Sequence, residues 1–247
     1  MKLISLNLWQ GRLYKNYPDF IQKHNADIIC LQEVYDASKQ IHLGDMFTSL
    51  SSAKKASSLE NVFFAPTLSF IIQNTKVSFG NAVLSRYPLN NQRTVFTNGK
   101  YIAIENPEDY VSNTRNAQIA NTNLNGRVIN LVNYHGYWEI DPEGSDRTLE
   151  SITKLVNATK DLKSPLIMSG DFNLNASSKA INYLKNELNL RDLTEEAGSP
   201  STMSNQIVLY TASCDHIFVS RDIKVNSFTV ADDLVSDHKA LVLDFDI

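Results

Sequence analysis

The chain has 247 residues, of which 43% are hydrophobic, 9% aromatic and 20% charged, and 23 basic against 27 acidic side chains give a net charge of −4. This composition excludes a disordered tail protein, a collagen-like repeat and a small disulfide-stapled scaffold, and the length suffices for a large core. The charge balance argues against coating nucleic acid by bulk electrostatics, although a local metal site can override a mildly acidic surface.

Residues 3–9 alternate, with Ile4, Leu6 and Leu8 on one face of a predicted strand. This apolar run is short, is broken by Ser5 and Asn7, and lacks the features of a signal peptide. No apolar stretch reaches the ~18 residues of a membrane span, so a cytoplasmic location is expected; a monomer is expected as well. Pro18 opens a short helix over residues 19–24. Residues 27–34 form a nearly continuous apolar run, which suits a strand buried on both faces. Residues 36–59 are rich in Ser and Lys and read as mixed helix and loop. Strands are predicted at residues 81–85, 101–104, 118–124 and 128–135, followed by an amphipathic helix at 147–162 with a Leu149, Ile152, Leu155, Val156 and Leu162 stripe. A strand at 166–169 and a helix at 177–187 come next, then strands at 216–220, 225–230 and 240–245. Cys30 and Cys214 sit in apolar runs and read as small buried hydrophobes.

About ten strands interleaved with helices suit two packed sheets rather than one small open sheet. No composition break or fixed-period repeat divides the chain, so residues 1–247 are expected to form one α/β domain with helices outside two sheets.

The polar residues that stand out lie at the ends of apolar strands. They are Asn7, Glu33 in Gln32-Glu33, His135, Asp171 and Asn173 in Gly170-Asp171-Phe172-Asn173, and Ser236-Asp237-His238. Each alone is ordinary, but together they form a site if the strands are aligned. Phosphate-binding glycine loops, a nucleophile elbow and a Cys/His zinc cluster are missing. Glu33, Asp237 and the Asn7 amide offer hard oxygen ligands that suit Mg²⁺ or Mn²⁺. Asp171 can orient or deprotonate water, while Asn173 and the histidines can donate to phosphoryl oxygens. This is equipment for metal-assisted attack of water on a phosphate ester.

The order of motifs then becomes specific. N-L-W at Asn7, L-Q-E-V at Glu33, G-N-A-V-L-S-R-Y-P from Gly80, N-Y-H at His135, G-D-F-N at Asp171, C-D-H-I-F-V-S at Asp215 and S-D-H at Asp237 run from residue 3 to residue 245. The chain resembles the endonuclease/exonuclease/phosphatase superfamily, the DNase-I-like fold. The resemblance implies a four-layer αββα sandwich with two mixed, mainly antiparallel sheets and the site at one edge. It implies that Glu33 is the principal metal ligand beside Asn7, that Asp171 handles the nucleophilic water and that Asn173 steadies it. It also implies that His238 contacts the scissile phosphate, that Asp215 holds that histidine, and that Asp237 sits beside the metal or the histidine. His135 would protonate the leaving oxygen or bind phosphate, and Asn81 and Arg115 are secondary candidates for phosphate contact.

The superfamily's substrates range widely, and fold does not choose among them. The expected substrate is a phosphodiester in nucleic acid or a nucleotide. The alternatives are a small phosphorylated metabolite or inositol phospholipid, or a binding module without turnover. The pieces at Lys54-Lys55 and Arg86 are too thin for a nucleic-acid groove, and the sequence shows no hydrophobic hairpin of a lipid-facing enzyme. Trp9 and Trp138, beside Asn7 and His135, are expected to fill the core, whereas for Tyr137 core and site readings stand level. Arg147 is expected to make structural pairs at the start of its helix.

Overall fold

The computed structural model describes residues 1–37, 44–106, 109–124 and 126–247. Its first sheet contains β1 (Lys2–Asn7), β2 (Ile28–Ala37), the β3 (Asn61–Ile72) and β4 (Thr75–Ser85) hairpin, β6 (Ile102–Ile104), β12 (Lys224–Val230) and β13 (Leu241–Asp246). Their order is β12-β13-β1-β2-β4-β3-β6. The second sheet contains β5 (Asn90–Asn98), β7 (Arg115–Leu124), β8 (Arg127–His135), β9 (Leu166–Asp171), β10 (Arg191–Asp192) and β11 (Asp215–Val219). Its order is β10-β11-β9-β8-β7-β5. The β1/β2, β3/β6 and β8/β9 pairs are parallel and the others antiparallel, so both sheets are mixed.

Three apolar layers hold four layers of structure together. Ile4, Leu6, Leu8, Ile29 and Leu31 face outward from the first sheet and meet Tyr17, Phe20 and Ile21 of α1 (Tyr17–His24) and Leu50 and Ala53 of α2 (Ser49–Ser57). The opposite faces of the same strands, through Leu3, Ile28 and Cys30, meet Leu131, Ile167 and Ile217 of the second sheet. The second sheet's outer face packs Val132, Met168 and Phe218 on α3 (Asp146–Thr159) and α4 (Lys179–Leu188). Period-two alternation sorts each strand between two cores, giving the αββα sandwich. Ser145 and Ser178 cap α3 and α4 by accepting from backbone N–H groups. Cys30 and Cys214 are buried and unpaired, as expected. No helix among the described residues is long and apolar enough to cross a membrane.

Three strands escaped the sequence reading, among them the two-residue β10. β5 is polar because it lies at the edge of its sheet with few residues buried. β3 carries Pro66, which suggests a break; its pairing with β4 shifts there between Pro66 and Leu68. The β3–β4 hairpin closes through Gln73 and Asn74, both with positive φ (44° and 59°). Phe70 packs on Tyr35 and Phe47, while Ile71 is exposed. Of the 36–59 segment, residues 38–43 lie outside the described residues, and the rest contains the end of β2, a 3-10 turn at Asp45–Thr48 and α2.

The inter-sheet layer is not wholly apolar. Gln32 Nε2 donates to Asn133 Oδ1 (2.6 Å), and Asn133 Nδ2 donates to Leu31 O (3.0 Å), Ala82 O (3.1 Å) and Gln118 Oε1 (2.8 Å). Gln118 Nε2 in turn donates to Phe63 O (2.6 Å). One amide thus bridges both sheets. Asn133→Ala strands the Leu31 and Ala82 carbonyls and two side chains in a dry layer. It is expected to cost about 3 kcal/mol in urea unfolding at unchanged m-value. A loss below about 0.5 kcal/mol would show that the bridge is dispensable.

Candidate active site

Strand register builds the site. In the first sheet Asn7 ends β1 and pairs with Gln32 on the parallel strand β2. In the second sheet His135, at the end of β8, stands opposite Asp171 at the end of β9, and Asp171 stands opposite Asp215 at the start of antiparallel β11. One edge of the sandwich therefore collects these groups from both sheets, and Asn7 Nδ2 donates across it to Asp171 Oδ2 (3.0 Å).

Local backbone features aim the remaining groups. The β2/β4 register breaks between Leu31 and Val34, and Glu33 has φ +54°. That bulge re-aims its side chain into the cleft. Asn173 (φ +57°), Trp9 (φ +47°) and Gln10 (φ +62°), all cleft residues, share the left-handed region. Such conformations cost about 1–3 kcal/mol each and cluster at functional sites. Gly170 of G-D-F-N has φ +147°, and a Cβ there would strike the Tyr134 carbonyl oxygen, so β8 and β9 approach this closely only with glycine.

A cleft of about 640 Å³ opens at this edge. Asn7, Glu33, Arg115, His135, Asp171, Asn173, Asp237 and His238 all line it. Asp171, at its floor, is 1% exposed. Its Oδ1 accepts from the Asn173 backbone N–H (2.9 Å). His135 Nε2 lies 3.6 Å and His238 Nε2 3.8 Å from its Oδ2. Asp215 lies behind the lining, with its Oδ2 2.8 Å from His238 Nδ1. Asn173 Nδ2 and Arg115 Nε both donate to Gly136 O (3.1 and 2.7 Å), which ties the segment after His135 to the cleft.

Asn81 is not part of this constellation. It is buried between the sheets, where its Nδ2 donates to Asn116 Oδ1 (2.8 Å), so its expected phosphate contact is corrected to a structural one. Trp138 is also corrected: it is 51% exposed and lines the cleft instead of filling the core. Trp9 lines the cleft as well, with the Arg12 guanidinium 4.8 Å from its ring centre. Tyr137 receives a hydrogen bond from exposed Arg147 (3.3 Å) and lies outside the lining. Tyr210, Ile140 and Glu139 were not anticipated, because their loops carry no strand-end signal.

The electrostatics divide the titratable groups. Burial pushes Asp171 up to about 6, aided by Asp215 and opposed by His238, Asn7 and Asn173. Burial also raises Glu33 and Asp237, against the charges of Arg115 and His238 for the former and His238 for the latter. Burial and the neighbouring Arg115 and His238 charges hold His135 well below its usual range. Burial opposes protonation of His238 too, but the Asp215 and Asp171 carboxylates outweigh it, so His238 is cationic. Two histidines flanking one carboxylate are thus held in opposite protonation states.

Two donor sets could hold a divalent ion. Asp171, Asp215 and His238 present ligand atoms within 4.8 Å of one another. Using all three would disturb the hydrogen bond between His238 Nδ1 and Asp215. Glu33 and Asp237, partly buried carboxylates whose charges act on one another, need no such disruption. Their oxygen chemistry fits Mg²⁺ or Mn²⁺. Asn7 Oδ1 accepts from Trp9 N–H (2.9 Å), and the Asn7 side chain also hydrogen-bonds Glu33.

Behind the site, His216 places Nδ1 2.8 Å from Asp192 Oδ2 and Nε2 2.8 Å from Leu174 O. Both partners are acceptors, so the ring is cationic, and it pins the turn that carries Asn173. Burial pulls His216 down, but the Asp192 charge, that hydrogen bond and the Leu174 carbonyl bring the net shift upward. A raised folded pKa gives stability that is full below the unfolded value near 6.5 and is lost as pH rises through the folded value. His216→Gln is expected to flatten that alkaline decline in urea midpoints measured from about pH 6 to about pH 9. Parallel profiles for variant and wild type would show that His216 is not charged in the folded protein.

Comparison with known proteins agrees with this fold. The family model "Endonuclease/Exonuclease/phosphatase family" matches residues 4–238. No curated protein matches the chain. Among solved structures, an endonuclease/exonuclease/phosphatase family protein from Bacteroides thetaiotaomicron is 18% identical, with TM-score 0.73, covering 99% of this chain and 97% of its own. The mannosyl-6-phosphatase Bt3783 of Bacteroides thetaiotaomicron VPI-5482 is 17% identical, with TM-score 0.71 and 100% of both chains covered. The human Nocturnin catalytic domain, solved with bound sulfate anion, is 20% identical, with TM-score 0.66, covering 100% of this chain and 93% of its own. With its sandwich, strand-end cleft and near-complete family match, the chain belongs to the endonuclease/exonuclease/phosphatase family.

Proposed function

We propose that the protein is a Mg²⁺- or Mn²⁺-dependent phosphoesterase that hydrolyses its substrate by in-line attack of water. The observation that carries this reading is the geometry at the cleft floor, where the buried Asp171 carboxylate lies 3.6 Å from His135 Nε2 and 3.8 Å from His238 Nε2, and burial pushes it up to about 6. A carboxylate poised near neutrality accepts a proton from water more readily than an ordinary aspartate does. Asn7 and the Asn173 N–H orient its two oxygens, so the base is fixed before substrate arrives.

His238 donates through Nε2 to a phosphoryl oxygen as negative charge develops, and Asp215 holds its ring and charge in place. His135, held neutral, would hydrogen-bond the leaving oxygen and not protonate it as expected, so that oxygen takes its proton from solvent as it departs; Arg115 supplies a second positive charge to the phosphoryl group. Glu33 and Asp237, with Asn7 beside them, hold the divalent ion. When bound, that ion supplies Lewis-acid stabilisation of the phosphoryl oxygens. Residues 1–247 act as one catalytic domain.

The sequence-based substrate is a phosphodiester in nucleic acid or a nucleotide. A phosphatase acting on a small metabolite is the second reading, and the relative named mannosyl-6-phosphatase favours it. A binding module without turnover would show no metal-dependent hydrolysis and would keep its ligand after Asp171→Ala. Asp171→Asn is expected to lower kcat by at least about 10²-fold while the protein stays folded by circular dichroism. Unchanged turnover would remove Asp171 from the mechanism. EDTA is expected to abolish wild-type activity. Glu33→Gln should shift the Mn²⁺ activation midpoint upward by about tenfold; a titration that overlays wild type would exclude Glu33 as a ligand.

A further inference from the structure

The walls of the cleft carry information that the reacting groups do not use. Among the described residues lining it, Arg115 is the single Arg or Lys, and its Nε is already committed to Gly136 O. Four carboxylates, Glu33, Asp171, Asp237 and Glu139, share the lining. Arg12, stacked on Trp9, adds one exposed charge beside the lining, but two arginines against four carboxylates are no track for a polyanion, even with a divalent ion present. A nucleic-acid strand needs several basic side chains along its backbone. Lys54 and Arg86 do not provide them, since they pair with Glu60 (2.8 Å) and Asp27 (2.8 Å).

The rim offers flat apolar surface instead. Trp138 is 51% exposed and Tyr210 58%, and both line the cleft with Trp9. The backbone of Trp138 is fixed. Its backbone N–H donates to Asn113 Oδ1 (2.9 Å), and its carbonyl accepts from Asn113 Nδ2 (2.9 Å). Asn113 itself adopts φ +63° to make this two-point clamp. An indole left in solvent on a clamped backbone is placed to receive a partner. A second cavity of about 370 Å³ shares Thr211 and Ala212 with the cleft, and its whole lining is uncharged, with Asn175 and Ser201 among its polar groups.

From one phosphate site, an aromatic platform and an uncharged polar annex, we infer that the substrate is a small ester of a single phosphoryl group with a neutral, ring-bearing polyol, the ring lying on Trp138. Nucleosides and sugars share this chemistry. The inference rests on the phosphoesterase reading and narrows its substrate away from polymeric nucleic acid.

The test compares kcat/KM, with Mn²⁺, for methyl phosphate, a nucleoside 5′-monophosphate, a hexose 6-phosphate and a single-stranded oligonucleotide. The expected result is preference for at least one ring-bearing monoester over both methyl phosphate and the oligonucleotide, by about tenfold or more. The ratio of that ester to methyl phosphate should fall about tenfold in Trp138→Ala, mainly through KM, and recover in Trp138→Phe. The better of the two ring-bearing arms identifies the source of the ring. Turnover of methyl phosphate without ring preference, or a ratio unaltered in Trp138→Ala, would overturn this inference and leave the phosphoesterase reading intact. Preferred cleavage of the oligonucleotide with a steep fall in added salt would also overturn it. No turnover in any arm would overturn both.

Discussion

A carboxylate buried at the meeting edge of two sheets is the constraint on which the rest of this structure turns. Asp171 is nearly inaccessible, and an isolated charge there would be prohibitive. The fold makes it tenable with fixed donors: the Asn7 amide from the opposite sheet, the Asn173 backbone N–H, and the cationic His238 ring nearby. The balance leaves Asp171 close to neutrality in pKa, where small changes in its surroundings change its proton occupancy. Each supporting group arrives on a different strand end or turn, so the site exists only when both sheets hold their register.

The register is protected by polar groups in an otherwise apolar layer. Asn133, two residues before His135 on β8, reaches Leu31 and Ala82 of the facing sheet as well as Gln118 in its own. A one-residue slip of β8 would break all three contacts and turn His135 away from Asp171. Gln32, its other partner, adjoins the bulged Glu33. On the far side of the site, the His216–Asp192 pair fixes the turn after β9 through Leu174. Strain at Glu33 and Asn173 is thus contained between two hydrogen-bonded anchors, which is the condition for left-handed asparagine and glutamate to persist.

Much of this was legible from residue order. Alternation in residues 3–9 sent Ile4, Leu6 and Leu8 to one face, and all three lie in the core against α1 and α2. The strand-end polar groups Asn7, Glu33, His135, Asp171, Asn173, Asp237 and His238 do share one cleft. What escaped has physical causes. β5 hides in a polar segment because an edge strand buries little. Asn81 sits in a motif that reads as functional, yet its amide is spent inside the sheets, and only the pairing partner Asn116 reveals that. Trp138 looked like core because large aromatics usually are; its exposure depends on Asn113, whose left-handed clamp has no signature in composition or spacing.

In the proposed site Asp171 and His238 work on a phosphoryl group while Glu33 and Asp237 would hold the ion. The most direct measurement is a crystal structure grown with Mn²⁺ and inorganic phosphate, with the metal located by its anomalous signal. This account predicts manganese bonded to Glu33, the His238–Asp215 hydrogen bond intact, and a phosphate oxygen within hydrogen-bonding distance of His238 Nε2. Manganese held instead among Asp171, Asp215 and His238, with that hydrogen bond broken, would contradict it.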